Sequence, residues 1–138
     1  MTEEYLIDTS ALVRFFRGQT GPQWGDAVAA GLVGLCEPVR QEYLRAVGGK
    51  TAFYEASQLL HEIFPYRFVP DDAWQETRTL QDDLARISCH QSAGTVDLVV
   101  AVTAAHHKLT LLHEDGDFET IARVTGQATR RISSVHPS

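Results

Sequence analysis

The chain has little sulfur, with two cysteines and one methionine in 138 residues. Cys36 and Cys89 stand far apart and show neither zinc-ligand nor redox spacing, which excludes a disulfide framework and leaves buried, reduced thiols as the expectation. Long apolar runs are also missing: nothing approaches the roughly 20 residues that span a bilayer. The start, Met1-Thr2-Glu3-Glu4, is acidic where a secretory leader would be basic, so the expected address is the cytoplasm. Basic charge is scarce too. Twelve Lys and Arg face 18 Asp and Glu, a net charge of −6, whereas a nucleic-acid binder ordinarily carries a basic surface. No glycine loop for phosphate, nucleophile elbow or Cys/His dyad occurs. No repeat, low-complexity tract or linker divides the sequence, and its length suits a single domain over residues 1–138.

What the chain does have is acids in unusual places. Asp8 ends the apolar run Tyr5-Leu6-Ile7, Asp97 sits within Val96-Asp97-Leu98-Val99-Val100, and Asp115 and Asp117 flank Gly116 just past Leu109–Leu112. Glu42 lies some 60° around a helix from Val39, on the margin of an apolar stripe of Val39, Tyr43 and Val47. An unpaired charge at the rim of a core is costly, so acids kept there call for a compensating partner such as a cation. Setting the five aside leaves 13 acids against 12 Lys and Arg, so the remaining surface is nearly neutral. Arg14 with Arg17, Arg40, Arg45 with Lys50, and Arg130 with Arg131 then form candidate local basic patches.

Hydrophobic periodicity alternates strand and helix. Strands are expected at 5–7, 32–36, 66–69, 109–112 and 131–135. Helices are expected after Asp8, over 24–30, after Glu37-Pro38, on both sides of Gly48-Gly49 as a hairpin, and from an Asp72 cap with an inner stripe of Trp74, Thr77, Leu80, Leu84 and Ile87. Two more follow, one capped by Thr95 and apolar on nearly every face from Val96 to Ala105, and a short one over 118–124. The order implies an α/β fold: a central, mostly parallel sheet of about five short strands, flanked by helices and carrying a helical hairpin insertion.

In such sheets the ligand crevice lies beyond the carboxyl ends of the strands, where Asp8 and the Asp115/Asp117 pair would meet Asp97 and Glu42. Oxygen donors without Cys or a well-placed His select Mg²⁺ or Mn²⁺ over zinc. Taken singly, each acid also has an ordinary role: Asp8 and Asp97 as helix-start residues, Glu42 as a surface acid, Asp115-Gly116-Asp117 as a turn. An EF-hand is excluded, because that turn lacks the loop glycine and closing glutamate. His106 and His107 diverge by about 100° and suit a helix C-terminus better than a shared metal.

Four segments in order resemble the PIN-domain ribonucleases, and among them the VapC toxins of VapBC toxin–antitoxin pairs: Tyr5-Leu6-Ile7-Asp8-Thr9-Ser10-Ala11-Leu12, Pro38-Val39-Arg40-Gln41-Glu42-Tyr43-Leu44, Asp97-Leu98-Val99-Val100-Ala101, and Leu111-Leu112-His113-Glu114-Asp115-Gly116-Asp117-Phe118. The resemblance spans essentially the whole chain. It implies a PIN-like fold in which Asp8, Glu42, Asp97 and one or both of Asp115 and Asp117 bind metal, with Thr9 or Ser10 orienting Asp8. At position 113, where many relatives place Thr or Ser, this chain has His113. The resemblance further implies Mg²⁺ dependence, an RNA substrate, a homodimer, and a small VapB-like antitoxin that covers the acidic crevice. The expected activity is endoribonuclease cleavage, with one or two metal ions activating a water for in-line attack on a phosphodiester. Rival readings are a non-catalytic acidic pocket that receives a basic partner segment, a PIN nuclease of RNA processing that is not a toxin, and a Mg²⁺-dependent phosphatase.

Overall fold

The computed structural model describes residues 2–134. Its centre is a parallel sheet of four strands, β1 (Tyr5–Ile7), β2 (Val33–Gly34), β3 (Thr110–His113) and β4 (Thr129–Arg131), in the order β2-β1-β3-β4. Register pairs Leu6 with Gly34 on one side and with Leu111 on the other, and Leu112 with Arg130 beyond. β1 and β3 are buried at every position, as parallel strands covered on both faces must be.

Among the described residues seven helices connect and cover the strands: α1 (Thr9–Phe16), α2 (Pro22–Ala29), α3 (Glu37–Arg45), α4 (Lys50–Ile63), α5 (Ala73–Arg86), α6 (Thr95–His106) and α7 (Gly116–Thr125). α3 and α4 form the expected hairpin about Gly48-Gly49, and Arg40 reaches across it to donate to Ser57 Oγ at 2.9 Å. Phe15 and Phe16 of α1 pack edge-on against Phe64, and Phe16 also meets Tyr43, fastening α1 to the hairpin. α6 carries its apolar residues all round and is the central helix, with Leu98, Val99, Val100, Ala101, Thr103 and Ala104 all buried.

Several expectations are corrected. Four strands are described where about five were expected, because Tyr66–Val69 contributes only one bridge, Leu35 to Tyr66. Pro65 and Pro70 bound that stretch, and a residue without an N–H cannot extend a ladder. The final strand lies at Thr129–Arg131 rather than 131–135, and residue 135 is outside the described residues. On α5 the buried stripe is Ala73, Thr77, Leu80 and Leu84, while Trp74 is 70 % and Ile87 39 % exposed. That stripe keeps the helical period from Ala73, which turns Trp74 about 100° away from the core. Neither Asp72 nor Thr95 caps through its side chain, and Gly94 is the residue preceding α6. α2 begins earlier than expected, with Pro22 in its first turn, and α7 begins at Gly116, capped by Asp115. Of the thiols, Cys36 is buried but Cys89 is half-buried.

Candidate metal centre and active site

The strand order makes β1 and β3 neighbours and sends the chain outward from them in opposite directions, to β2 and to β4. A crevice opens at such a switch point, beyond the carboxyl ends of the two central strands. Asp8 is the residue after β1, and Asp115 lies two past β3. Asp97, in the first turn of α6, completes the approach from a third element. Ligand oxygens of Asp97, Asp115 and Asp117 lie within 4.8 Å of one another.

Asp8 and Glu42 stand outside that tight group but within electrostatic reach of Asp97. Asp8 is turned toward its own helix. Its Oδ1 accepts from the Ala11 amide at 3.1 Å, and Ser10 Oγ lies 2.8 and 2.9 Å from the two carboxylate oxygens. Ser10 Oγ also accepts from the Glu114 amide at 2.9 Å, so one hydroxyl ties the end of β1 to the end of β3. Of Thr9 and Ser10, it is Ser10 whose hydroxyl bonds the Asp8 carboxylate, whereas Thr9 Oγ1 is buried without a hydrogen-bond partner among the described residues. Glu42 is exposed on α3 and lines two clefts at once. One, of about 280 Å³, runs past Thr9, Phe16 and Arg17; the other, of about 470 Å³, runs past Arg45, Trp74 and Thr95.

The electrostatics are those of crowded like charges. Burial pushes the Asp8 carboxyl up to about 6, and the nearby Asp97 adds to this against the opposing hydrogen bonds from Ala11 and Ser10. Asp97 is likewise raised to about 6, first by burial and then by Asp115, Glu42 and Asp117. Asp117 is raised by burial and by Asp115. A donor set made only of carboxylate oxygens, each disfavouring its neighbours' charge, fits a hard divalent cation.

The turn that carries the pair is built by contacts with no obvious signature in the sequence. Asp115 caps α7 by accepting from the Asp117 amide at 2.9 Å, and the Asp115 amide donates to His113 Nδ1 at 3.1 Å. Arg131 grips Glu119 through two nitrogens, at 2.7 and 2.9 Å, and reaches Glu114 at 3.3 Å. Glu114 in turn accepts from the amide and hydroxyl of Ser133. The Arg130/Arg131 patch is therefore engaged inside the fold: Arg131 in this clamp, Arg130 paired with Glu3 at 3.6 Å and stacked over Trp24 at 4.7 Å. Arg40 is held by Glu37, and Arg14 donates to the Ser10 carbonyl. His107 Nε2 donates to the Phe68 carbonyl at 2.8 Å, and both His106 and His107 pack against the Phe68 ring, away from the acids.

The PIN-domain family model matches residues 5–124 of this sequence. The chain belongs to the PIN-domain family. Among curated relatives, Ribonuclease VapC2 of Mycobacterium tuberculosis (strain CDC 1551 / Oshkosh) is 33 % identical, over all of this chain and 99 % of the relative. Ribonuclease VapC18 of Mycobacterium tuberculosis (strain ATCC 25618 / H37Rv) is 31 % identical over 93 % of this chain and 94 % of its own length. In fold, this PIN domain is similar to a chain of the VapBC2 complex from Rickettsia felis, solved bound to a DNA fragment from its promoter. The TM-score is 0.75 at 14 % identity, covering 92 % of this chain and 97 % of that one. The α/β fold with a parallel sheet is thus that of PIN-domain VapC structures.

Proposed function

We propose that this PIN domain is a metal-dependent endoribonuclease of the VapC toxin type, acting through the acidic crevice at its sheet switch point. The observation that carries this reading is the meeting of Asp97, Asp115 and Asp117 within 4.8 Å, in a chain whose full-length curated relatives are named ribonucleases. Those three acids would hold the ion, with Asp8 and Glu42 completing the negative wall and Mg²⁺ the preferred ion, Mn²⁺ its substitute. When bound, the ion supplies a water activated near neutral pH and charge compensation at the phosphate. Ser10 holds Asp8 in one orientation, so that the carboxylate does not swing out of the crevice to relieve repulsion. Arg17 and Arg45, exposed along the two clefts that meet at Glu42, are the cations placed to take flanking RNA phosphates.

The same acidic centre is a seat for a basic segment, and the proposed inhibitor is a VapB-like antitoxin that covers it. The proposed setting is a single domain, homodimeric and cytoplasmic; among the described residues no helix is long and apolar enough to cross a membrane. The test is digestion of total cellular RNA with Mg²⁺, with excess EDTA, and with Asp97→Asn. Cleavage at defined sites is expected from the wild type, with a loss on the order of 100-fold or more in the other two. Equal cleavage in EDTA, or by Asp97→Asn, overturns the reading. Binding of a basic partner with no cleavage under Mg²⁺ or Mn²⁺ replaces it with the interaction-module alternative.

A further inference from the structure

His113 closes β3 with its side chain fully buried, packed on Phe118 at 5.4 Å between ring centres. A buried imidazole is a costly choice at this point. Its Nε2 has no hydrogen-bond partner among the described residues, and an unmet buried donor costs about 1–3 kcal/mol. Its other nitrogen has a defined task, because Nδ1 accepts the Asp115 amide at 3.1 Å. That contact spans two residues, the geometry by which Asn or Asp oxygens, and more weakly Ser or Thr hydroxyls, fold the backbone back on itself. The Asp115 carboxylate then accepts from the Asp117 amide, which sets the start of α7 and the spacing of both acids.

We propose that His113 is a positioning residue for the metal centre: its Nδ1, held as an acceptor, locks the Asp115 backbone so that the Asp115 and Asp117 carboxylates face Asp97. The proposal rests on the metal-centre reading above and adds to it the group that orients two of the ligands. Two consequences follow from the chemistry. The imidazole must be the Nε2–H tautomer, since Nδ1 cannot both carry a proton and accept one. Substitutions must sort by where they place an acceptor rather than by bulk or polarity. In His113→Asn the amide oxygen sits close to the Nδ1 position. In His113→Gln the same amide is one bond further out, and in His113→Leu it is missing.

The experiment is Mn²⁺ titration followed by electron paramagnetic resonance, run without RNA on wild type and the three variants, together with ¹⁵N shifts of the imidazole. Disturbing a group that orients a metal ligand typically weakens metal affinity 10–100-fold. Expected are weakening of about 10-fold or more in Gln and Leu, retention within about 3-fold in Asn, and an Nε2–H tautomer in the wild type. The Asn–Gln comparison carries the test if Leu does not fold. Wild-type affinity in Gln, an equal loss in Asn and Gln, or an Nδ1–H tautomer overturns the role of His113 while leaving the metal centre standing. A wild-type chain that takes up no Mn²⁺ overturns both.

Discussion

Asp8 is 4 % exposed, and in the proposed site its charge forms part of the crevice's negative wall. Its folded-state value of about 6 lies above the roughly 3.9 of an unfolded aspartate, so the folded chain binds this proton more tightly. Between about pH 4 and pH 6 the metal-free fold therefore loses stability as pH rises, and above that window the whole cost is present, on the order of 3 kcal/mol. Asp8→Asn keeps an oxygen for the Ala11 amide and the Ser10 hydroxyl but carries no charge. In EDTA at about pH 7.5 it is expected to be more stable than wild type by about 1–3 kcal/mol in urea unfolding, with the difference fading toward about pH 4. A variant no more stable than wild type at the higher pH contradicts the assigned strain. The acid itself was legible from its place after Tyr5-Leu6-Ile7. The choice of Ser10 over Thr9 was not, because that is decided by the amide of Glu114, 104 residues further along.

Elements were legible where one periodicity dominated. α6 is central because no face of it is polar, and the α3–α4 hairpin follows from two glycines between two periodic runs. On α5 the expected and observed stripes differ at their start, because the small Ala73 packs against the core and the bulky Trp74 next to it faces outward. The 66–69 segment forms only a bridge, because strand-forming residues make a strand only if a neighbour offers a full edge, and Pro65 and Pro70 prevent that. α7, which carries Asp117 in its first turn, ends at Gly126 with φ of 71° and its amide bonded to Ala122. A Cβ there meets nothing within 4 Å, so Gly126→Ala isolates the left-handed backbone cost. It is expected to destabilise by about 1–2 kcal/mol in urea unfolding, and no change would mean that the helix end relaxes freely.

For the whole molecule, the net charge of −6 is distributed unevenly, with like charges gathered at one crevice and the Arg130 and Arg131 guanidiniums committed to Glu3, Glu114 and Glu119. Binding a dication should therefore stabilise the entire fold. At a concentration about 100 times the dissociation constant the gain is about 2.7 kcal/mol. Mn²⁺ is expected to raise the wild-type Tm by roughly 5–10 °C in a thermal scan, and that of Asp97→Asn by less than about 2 °C. Equal shifts in both would remove the Asp97 cluster as the ion's seat. The sequence by itself determined the class of fold and which acids stand at the edges of apolar runs, because apolar period and charge placement are local properties of a chain. Only the tertiary structure decided which acids meet, which hydroxyl serves Asp8, and which cations stay available. Those depend on strand order and on side chains from distant segments arriving at one point, and the joining of β1 to β3 at the sheet centre is what brings Asp8, Asp97 and Asp115 to the same crevice.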